Sequence, residues 1–240
     1  MTLRPGQARV VNLALAGRVD ACIVDLDGTL VDTIGDFEVA LSRTLADLGW
    51  PPVGRTFIER TVGKGSEHLI TSALAAVGAP PALLATAWTH YQAHYLAING
   101  SCSTIYAGAV EGLQALQAAG LRLACLTNKP LGFAGPLLQS KQLDRYFDHV
   151  FGGDSFSRKK PDALPLLKTC AALGTTPART LMVGDSSNDA MAARAAGCPV
   201  VLVSYGYNHG LPVEDAGADA VIHRLDELLG VLLPAEALGR

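Results

Sequence analysis

Charged side chains are scarce in this sequence, at 17% of 240 residues, and the formal net charge is only -3. No stripe of lysine and arginine marks a surface for nucleic acid, so we expect no nucleic-acid partner. An anionic substrate has to be held by local cations, because the chain as a whole is weakly acidic. A signal-peptide layout and a membrane-spanning apolar run are absent as well, so we expect no membrane partner.

Cysteine pairs of the CxxC kind are also missing, and the number of cysteines, five, is odd. Cys22, Cys125 and Cys198 lie in or beside apolar strand candidates, where a free cysteine behaves as a small hydrophobic residue. This usage argues against a disulfide framework. We therefore predict a reducing, cytoplasmic location.

What the chain does contain is enough apolar sequence, 49% of its residues, to bury a substantial core. We expect residues 1–18 to form a flexible or loosely docked leader. Residues 33–105 have helical spacing with no strong strand signal and predict an all-helical insert. From residue 106 onward, short apolar runs alternate with helical patterns, which is typical of βαβ units and a parallel sheet. The fold class is therefore α/β.

The most informative segment follows the apolar run 19–24, which predicts a buried strand. Two aspartates, Asp25 and Asp27, come directly after it, and Gly28 follows them. Two like charges at a buried strand end need a partner or a metal ion, and ligands of open α/β sheets bind at the carboxyl ends of the strands. These residues predict an acidic, metal-dependent active site. The alternative is an ordinary strand end with an Asp-Gly turn.

Two more predicted strands end in groups suited to phosphate or metal. Thr127 and Asn128 follow one strand, and Asp185 and Asp189 follow another, while the basic segment 158–160 supplies cations. Parallel strands bring all of these ends to one edge of the sheet. Carboxylates there can hold Mg²⁺, a cation that prefers oxygen ligands, and the combination suits phosphoryl transfer.

Each of these segments has a simpler interpretation when it is taken alone. Residues 127–128 fit a turn with a helix cap, and residues 158–160 fit a solvated loop. Residues 186–189 also form a natural helix N-terminus, which is compatible with catalysis. Within the basic segment, both Lys159 and Lys160 are candidates; we prefer Lys160 because it directly precedes Pro161.

Taken together, these motifs resemble the haloacid dehalogenase superfamily of aspartate-nucleophile phosphatases. The resemblance comprises a DxDGT sequence at residues 25–29, the strand-end Thr127, the Lys160-Pro161 pair and a GDSxxD sequence at residues 184–189. It covers nearly the whole chain after residue 19. It implies a Rossmann-like core, residues 1–32 and 106–240, with residues 33–105 as a helical cap.

The resemblance implies a role for each residue of these motifs. Asp25 is the expected nucleophile, which forms an aspartyl-phosphate, and Asp27 is the expected acid and base. Thr127 and the backbone amide of Asn128 are expected to bind phosphoryl oxygens. Lys160 is expected to stabilise charge on Asp25 and on the phosphoryl group.

The cofactor that the resemblance implies is Mg²⁺. Its expected ligands are the carboxylates of Asp25 and Asp185 and the carbonyl of Asp27, with Asp189 supporting the site. A lysine and a divalent ion together offset the repulsion between a carboxylate and a phosphate dianion.

The expected substrate is a small phosphate monoester, which the cap selects. Segment 61–65 resembles a cap specificity loop, and with segments 152–161 and 205–207 it is similar to bacterial phosphoglycolate phosphatases. We therefore expect 2-phosphoglycolate as the substrate, with Gly63 and Lys64 among its binding residues. Lys64 either grips the substrate carboxylate or is merely solvated. At the second hinge between cap and core, Ala107 and Ala109 stand where those phosphatases usually have proline and valine.

Other functions remain open at this stage. Asp27 fits phosphate-ester cleavage rather than dehalogenation or phosphonate hydrolysis. The alternatives are another small-molecule or sugar-phosphate phosphatase, or a phosphosugar mutase of the same superfamily. We expect a monomer or a homodimer.

Two histidines, His90 and His94, lie four residues apart on a predicted helix and have the spacing to face one metal ion. The sequence offers no evident third ligand nearby. It therefore favours a partly exposed pair without a metal.

Overall fold

The computed structural model describes residues 9–10 and 19–232. Of the predicted flexible leader, residues 1–8 and 11–18 lie outside this description. Arg9–Val10 forms strand β1, which pairs antiparallel with Ala220 and Val221. The backbone groups of these two residues therefore extend the edge of the sheet, which corresponds to the docked form of the predicted leader.

The main sheet of the described chain has seven strands in the order β1-β9-β8-β7-β2-β5-β6. Every pairing except that of β1 is parallel. Besides β1, its strands are β2 (Ala21–Val24), β5 (Arg122–Leu126), β6 (His149–Phe151), β7 (Thr180–Gly184), β8 (Val200–Val203) and β9 (Ala220–Ile222). The α/β class predicted from the sequence is confirmed.

Strand β2 is central, between β5 and β7, and all four of its residues are buried. Val24 lies opposite both Cys125 and Val183 in the register. The residues that follow these three positions therefore leave the sheet side by side. This register brings the predicted site segments of all three strands to one edge.

Helices cover both faces of the sheet. Cys22 and Val24 pack in one apolar cluster, and the alternate residues Ala21 and Ile23 pack in another. The first face is covered by α5 (Ala109–Ala118), α6 (Leu131–Ser140) and α9 (Leu228–Leu232), and the second by α7 (Leu164–Ala172) and α8 (Ser187–Ala196). Burial on both faces explains why β2 and β8 consist entirely of apolar residues.

The inserted segment has a separate apolar core. Its helices are α1 (Ile34–Asp47), α2 (Arg55–Thr61), α3 (Ser66–Val77) and α4 (Leu84–Ile98). Phe37, Tyr91 and Tyr95 pack at the centre of this core. Phe133 of α6 joins them, with its ring 4.8 Å from that of Tyr95, and so the insert is tied to the sheet domain.

A second, two-stranded sheet connects the insert to the core. Val31–Asp32 (β3) pairs antiparallel with Thr104–Ile105 (β4). The prediction that residues 33–105 are entirely helical was wrong at residues 104–105. A two-residue strand is too short to show alternation, and this one forms because the chain returns beside its own point of departure.

Two helices are each preceded by a 3-10 turn. The turn Pro81–Leu83 comes directly before α4. The turn Leu225–Glu227 comes directly before α9. No helix in residues 19–232 is both long and apolar enough to cross a membrane.

Substitution of Gly112 tests how tightly α5 packs against the turn Leu225–Glu227. A Cβ at Gly112 would lie 2.8 Å from the backbone carbonyl group of Leu225. Although alanine ordinarily stabilises a helix relative to glycine, we expect Gly112→Ala to lower the free energy of unfolding by about 1–3 kcal/mol through overpacking. The measurement is urea unfolding followed by circular dichroism.

Gly132, an exposed helical glycine of α6, is the matched control. No atom lies within 4 Å of a Cβ placed there. Gly132→Ala is expected to raise the free energy of unfolding by up to about 1 kcal/mol. Equal stabilisation by both substitutions would show that α5 can move away from the turn freely.

Candidate active site

Asp25 lies where β2 ends, and only 8% of the residue is exposed. Its Oδ1 accepts a hydrogen bond from the Leu26 amide at 2.8 Å and forms an ion pair with Lys160 Nζ at 3.0 Å. Both contacts involve Oδ1, so Oδ2 receives no donor from the described residues. Burial raises the pKa of Asp25 to about 7, although Lys160 acts in the opposite direction. Asp25 thus has one oxygen anchored and the other available to a ligand.

Lys160 is the cation that reaches Asp25. Its Nζ also donates to Asp189 Oδ1 at 2.7 Å and to the Leu126 carbonyl at 2.9 Å, and the residue is 4% exposed. Burial by itself lowers the pKa of this ammonium, but Asp189 and Asp25 hold it above its ordinary value. Lys159, the other candidate from the sequence, is exposed.

Asp189 is held by the start of α8. Its Oδ2 accepts the Ser186 hydroxyl at 2.9 Å and the amides of Ser186 and Asp185 at 3.2 Å each. These bonds form a capping box, which the Ser and Asp of this segment favour. Asp189 therefore orients Lys160 and the loop that carries Asp185.

Asp185, together with Asp25 and Asp189, forms the acidic group of the site. Its Oδ1 accepts the Thr29 hydroxyl at 3.2 Å, and its Oδ2 accepts the Tyr207 amide at 2.6 Å. Burial, followed by the charges of Asp189 and Asp25, raises its pKa well above the ordinary range. Burial and neighbouring negative charge thus both oppose ionisation of this carboxyl group.

The acidic group fits a hard divalent cation. Carboxylate oxygens of Asp25, Asp185 and Asp189 all lie within 4.8 Å of one another. Among the described side chains, a single ammonium, Lys160, is paired with this group. Three carboxylates facing one lysine leave excess negative charge in a buried site, and oxygen donors of this type are those that Mg²⁺ prefers.

Gly28 allows these acids to approach one another. It has a positive φ of 84°, and a Cβ there would lie 2.2 Å from Asp185 Oδ2. Any larger residue would push the Asp185 loop away from Asp25. The glycine of the DxDGT sequence is thus required by both conformation and space.

Asp27 points to a different cation. Its Oδ1 accepts the Thr33 hydroxyl and Lys129 Nζ, each at 2.7 Å. The ammonium of Lys129 lies 4.4 Å from the centre of the Phe37 ring and 4.9 Å from that of Tyr95. The Asp27 carboxylate is therefore engaged away from the group formed by the other three acids.

Sequence reasoning missed Lys129. The residue is 3% exposed and lines the cavity at the site. The available signal was its position directly after Thr127 and Asn128, at a strand end that the sequence had already marked. Its pairing with Asp27 depends on residues 102 positions apart and could not be seen in the sequence.

Thr127 and Asn128 lie at the predicted strand end, and both are buried. The Asn128 side chain donates to the carbonyls of Gly63, at 2.9 Å, and Lys160, at 2.8 Å. Its Oδ1 accepts the Lys160 amide at 3.0 Å. Asn128 therefore ties three segments together: its own loop, the Lys160 loop and the insert.

The insert contributes a loop that closes over these residues. Gly63 has a φ of 105°, which favours glycine, and its carbonyl accepts donors from Asn128 and Asn188. Lys64 is exposed and does not line the cavity. The structure thus brings Gly63 to the cavity and leaves Lys64 outside its lining, and the binding role of Lys64 stays a prediction.

Tyr207 links the two-stranded connection β3–β4 to Asp185. Its hydroxyl accepts the Thr33 amide at 3.0 Å and donates to Asp32, while its own amide donates to Asp185. Asp32 belongs to β3, one strand of the two-stranded connection. The position of the insert and the position of Asp185 therefore depend on one residue.

The space enclosed between insert and core is small. The volume within which the centre of a water molecule can lie is about 20 Å³. The insert contributes six lining residues, which are Phe37, Val62, Gly63, Gly65, Ser66 and Leu69. The charged side chains that line this space all come from the core, and the insert covers them with three apolar side chains, two glycines and Ser66.

Known proteins are similar to this chain both in sequence and in fold. Residues 19–197 match the family of haloacid dehalogenase-like hydrolases. A phosphoglycolate phosphatase of Thiobacillus denitrificans is 43% identical over 212 residues, which cover 87% of this chain and 93% of that protein. A plasmid-encoded phosphoglycolate phosphatase of Cupriavidus necator is 41% identical over 216 residues, covering 90% and 94% of the two chains.

A solved structure agrees. The crystal structure of a predicted phosphoglycolate phosphatase from Haemophilus somnus superimposes with a TM-score of 0.85 at 29% identity, covering 89% of this chain and 98% of that one. The resemblance inferred from the motifs is confirmed. The chain belongs to the haloacid dehalogenase-like hydrolase family, as a phosphatase similar to the phosphoglycolate phosphatases.

Proposed function

We propose that this protein hydrolyses 2-phosphoglycolate to glycolate and phosphate, with Mg²⁺ as cofactor and an aspartyl-phosphate as intermediate. The observation that carries the proposal is the presence of two buried ammonium groups beside one small cavity. Lys160 lies against Asp25, and Lys129 lies against Asp27. The substrate carries two anionic groups, a phosphoryl group and a carboxylate, and so needs two separate sources of positive charge.

Asp25 is the nucleophile of the proposed reaction. Its free Oδ2 attacks phosphorus, and the bond from phosphorus to the glycolate oxygen breaks. A water molecule then attacks the aspartyl-phosphate at phosphorus, which releases phosphate and restores the carboxylate. Lys160 balances the charge of Asp25 and lies within reach of a phosphoryl oxygen.

Asp27 moves the proton in both steps. It donates a proton to the departing glycolate oxygen and later accepts one from the attacking water. Its hydrogen bonds from Thr33 and Lys129 hold it in a fixed orientation. Thr127 and the amide of Asn128 bind phosphoryl oxygens at the end of β5.

The proposed Mg²⁺ ligands are the carboxylates of Asp25 and Asp185 and the main-chain carbonyl of Asp27, while Asp189 is occupied by the capping box. When bound, Mg²⁺ supplies positive charge against the repulsion between carboxylate and phosphate dianion, about 4 kcal/mol per charge pair at 4 Å in an intermediate dielectric. The donor set supports this assignment because it consists of buried oxygens with too few cationic partners.

The cover of the cavity favours a small substrate over a sugar. Phe37, Val62 and Leu69 give the insert side a largely apolar surface, and Ser66 is the single hydrogen-bonding side chain among the insert residues that line the cavity. A sugar-phosphate mutase would need hydrogen-bonding side chains there for the ring hydroxyls. This surface therefore disfavours the mutase that the sequence left open.

The absence of nucleic-acid and membrane partners, the cytoplasmic location and the oligomeric state stay predictions.

Replacement of the nucleophile tests the proposed reaction. We expect Asp25→Asn to abolish phosphate release from 2-phosphoglycolate, because an amide neither attacks phosphorus nor binds the ion as a carboxylate does. Wild-type activity is expected to require Mg²⁺ and to disappear with a chelator. The measurement is phosphate release at steady state, with folding checked by thermal unfolding.

Asp20→Asn is the matched control, because Asp20 is an exposed aspartate just before β2 that pairs with Arg179. This variant should keep wild-type activity. Turnover by folded Asp25→Asn protein, or full activity of the wild type in chelator, would contradict the proposed mechanism.

Asp27→Asn tests the proton transfer separately. We expect turnover of 2-phosphoglycolate to fall by about 10²–10⁴-fold. Formation of the phosphoenzyme from 4-nitrophenyl phosphate should fall less, since its leaving group needs little protonation. Rapid-quench measurement of phosphoenzyme formation from both esters checks this. An equal loss for both esters would remove Asp27 from the role of acid.

Lys129→Met tests whether Lys129 recognises the substrate carboxylate. A charge-assisted contact is worth about 1.5–3 kcal/mol, so kcat/KM for 2-phosphoglycolate should fall at least tenfold further than that for 2-hydroxyethyl phosphate. The second ester has a similar size but no carboxylate. Lys64→Ala, at the exposed lysine that the sequence favoured, should change neither value.

The comparison of the two esters separates two roles of Lys129. An equal loss for both would mean that Lys129 acts only by orienting Asp27. A selective loss in Lys64→Ala would reinstate the interpretation from the sequence. In either case the result for Asp25→Asn stands by itself, so hydrolysis and substrate choice are tested independently.

A further inference from the structure

A group of three metal-binding side chains lies on the surface of the insert, apart from the active-site cavity. Asp47 ends α1, and His90 and His94 lie one turn apart on α4. His90 Nδ1 is 2.9 Å from Asp47 Oδ2, and His94 Nε2 is 2.6 Å from the same oxygen. Asp47 is the third ligand that the sequence did not reveal, because it precedes the histidines by more than forty residues.

The positions of these atoms suit a single ion. Bonds of about 2.0–2.2 Å place neighbouring ligand atoms about 2.8–3.6 Å apart in tetrahedral or octahedral sites. The distance from His90 Nδ1 to Asp47 Oδ2, 2.9 Å, already lies in this range, and that from His94 Nε2, 2.6 Å, needs only a small increase. All three ligand atoms already lie within 4.8 Å of one another.

The site is open to solvent, and no lysine or arginine of the described residues is paired with it. The side chains of His90 and Asp47 are each 39% exposed, and that of His94 is 26% exposed. Over residues 19–232, no lysine or arginine forms a salt bridge with Asp47. Water can therefore complete the coordination, and the carboxylate is not already neutralised by a basic side chain.

We propose that Asp47, His90 and His94 bind a divalent first-row transition-metal ion such as Zn²⁺. Two imidazoles and one carboxylate select such ions over Mg²⁺, which prefers oxygen ligands. Each neutral imidazole binds the ion through the nitrogen that now donates to Asp47. Its proton moves to the other ring nitrogen, so the rings remain neutral.

The bound ion cross-links α1 to α4. The same two helices carry Phe37 and Tyr95, whose rings lie 5.6 Å apart and flank the ammonium of Lys129. None of the three metal ligands lines the active-site cavity. The ion therefore stabilises the insert and leaves the Mg²⁺ site of the core to its own ligands.

The experiment uses the whole protein, stripped of metals and then kept in a large excess of Mg²⁺ to protect the acidic site. Zn²⁺ is titrated calorimetrically, and thermal unfolding is followed with and without Zn²⁺. We expect one Zn²⁺ per chain and a rise in Tm of about 5 °C at a hundredfold excess over Kd. Paramagnetic Ni²⁺ should broaden the ring signals of His90 and His94 in nuclear magnetic resonance spectra.

Variants decide whether these residues are the ligands. His94→Ala and the more conservative Asp47→Asn should each weaken Zn²⁺ binding at least tenfold and remove the rise in Tm. His68→Ala, which removes an exposed histidine from α3 of the same insert, should retain both effects. Unfolding in chelator shows whether each variant is folded before metal is added.

Three results would overturn the proposal. The first is Zn²⁺ binding that is unchanged in folded Asp47→Asn and His94→Ala proteins. The second is Zn²⁺ binding that disappears when Mg²⁺ is in excess, which would place the ion in the acidic group of the core. The third is broadening of His68 rather than of His90 and His94.

Discussion

The interaction on which the rest of the site depends is the burial of one ammonium among carboxylates at the end of a central strand. Lys160 holds Asp25 and Asp189 together in a place with little water. Removing a charged partner from such a group leaves an uncompensated buried charge, which is strongly destabilising. The loops that carry these charged residues are fixed by the capping box of α8, by Gly28 and by the hydrogen bonds of the Asn128 side chain. The site is consequently stable only as a unit, and a divalent cation fits the negative charge that remains.

The two domains divide the chemical work. The charged side chains of the active site all come from the core, since they follow strands whose register is fixed by packing on both faces. The insert contributes an apolar cover and one loop, whose Gly63 carbonyl is held by two core asparagines. This separation explains how one core serves many substrates in a family of hydrolases, because the cover can change without disturbing the charge group.

Lys129 lies where these two domains meet. Its ammonium contacts Asp27 of the core and the rings of Phe37 and Tyr95 of the insert. A cation in that position is held more firmly than an exposed lysine on a loop, since it is desolvated and flanked by two aromatic faces. Recognition of a second anionic group by this lysine would link substrate choice to the packing of α1 against α4. Those helices also carry the proposed transition-metal site.

The sequence by itself determined the α/β class, the helices of the insert and the residues of the acidic motifs, because apolar periodicity and strand-end chemistry are local properties. It did not determine the β3–β4 pairing, the presence of Lys129 at the site or the position of Lys64 outside the lining of the cavity. Nor did it show that Asp47 meets His90 and His94. Each of these depends on segments far apart in the chain, and only packing decides which distant side chains meet. Tertiary structure therefore decided the partners of the charged groups, on which substrate choice and metal binding depend.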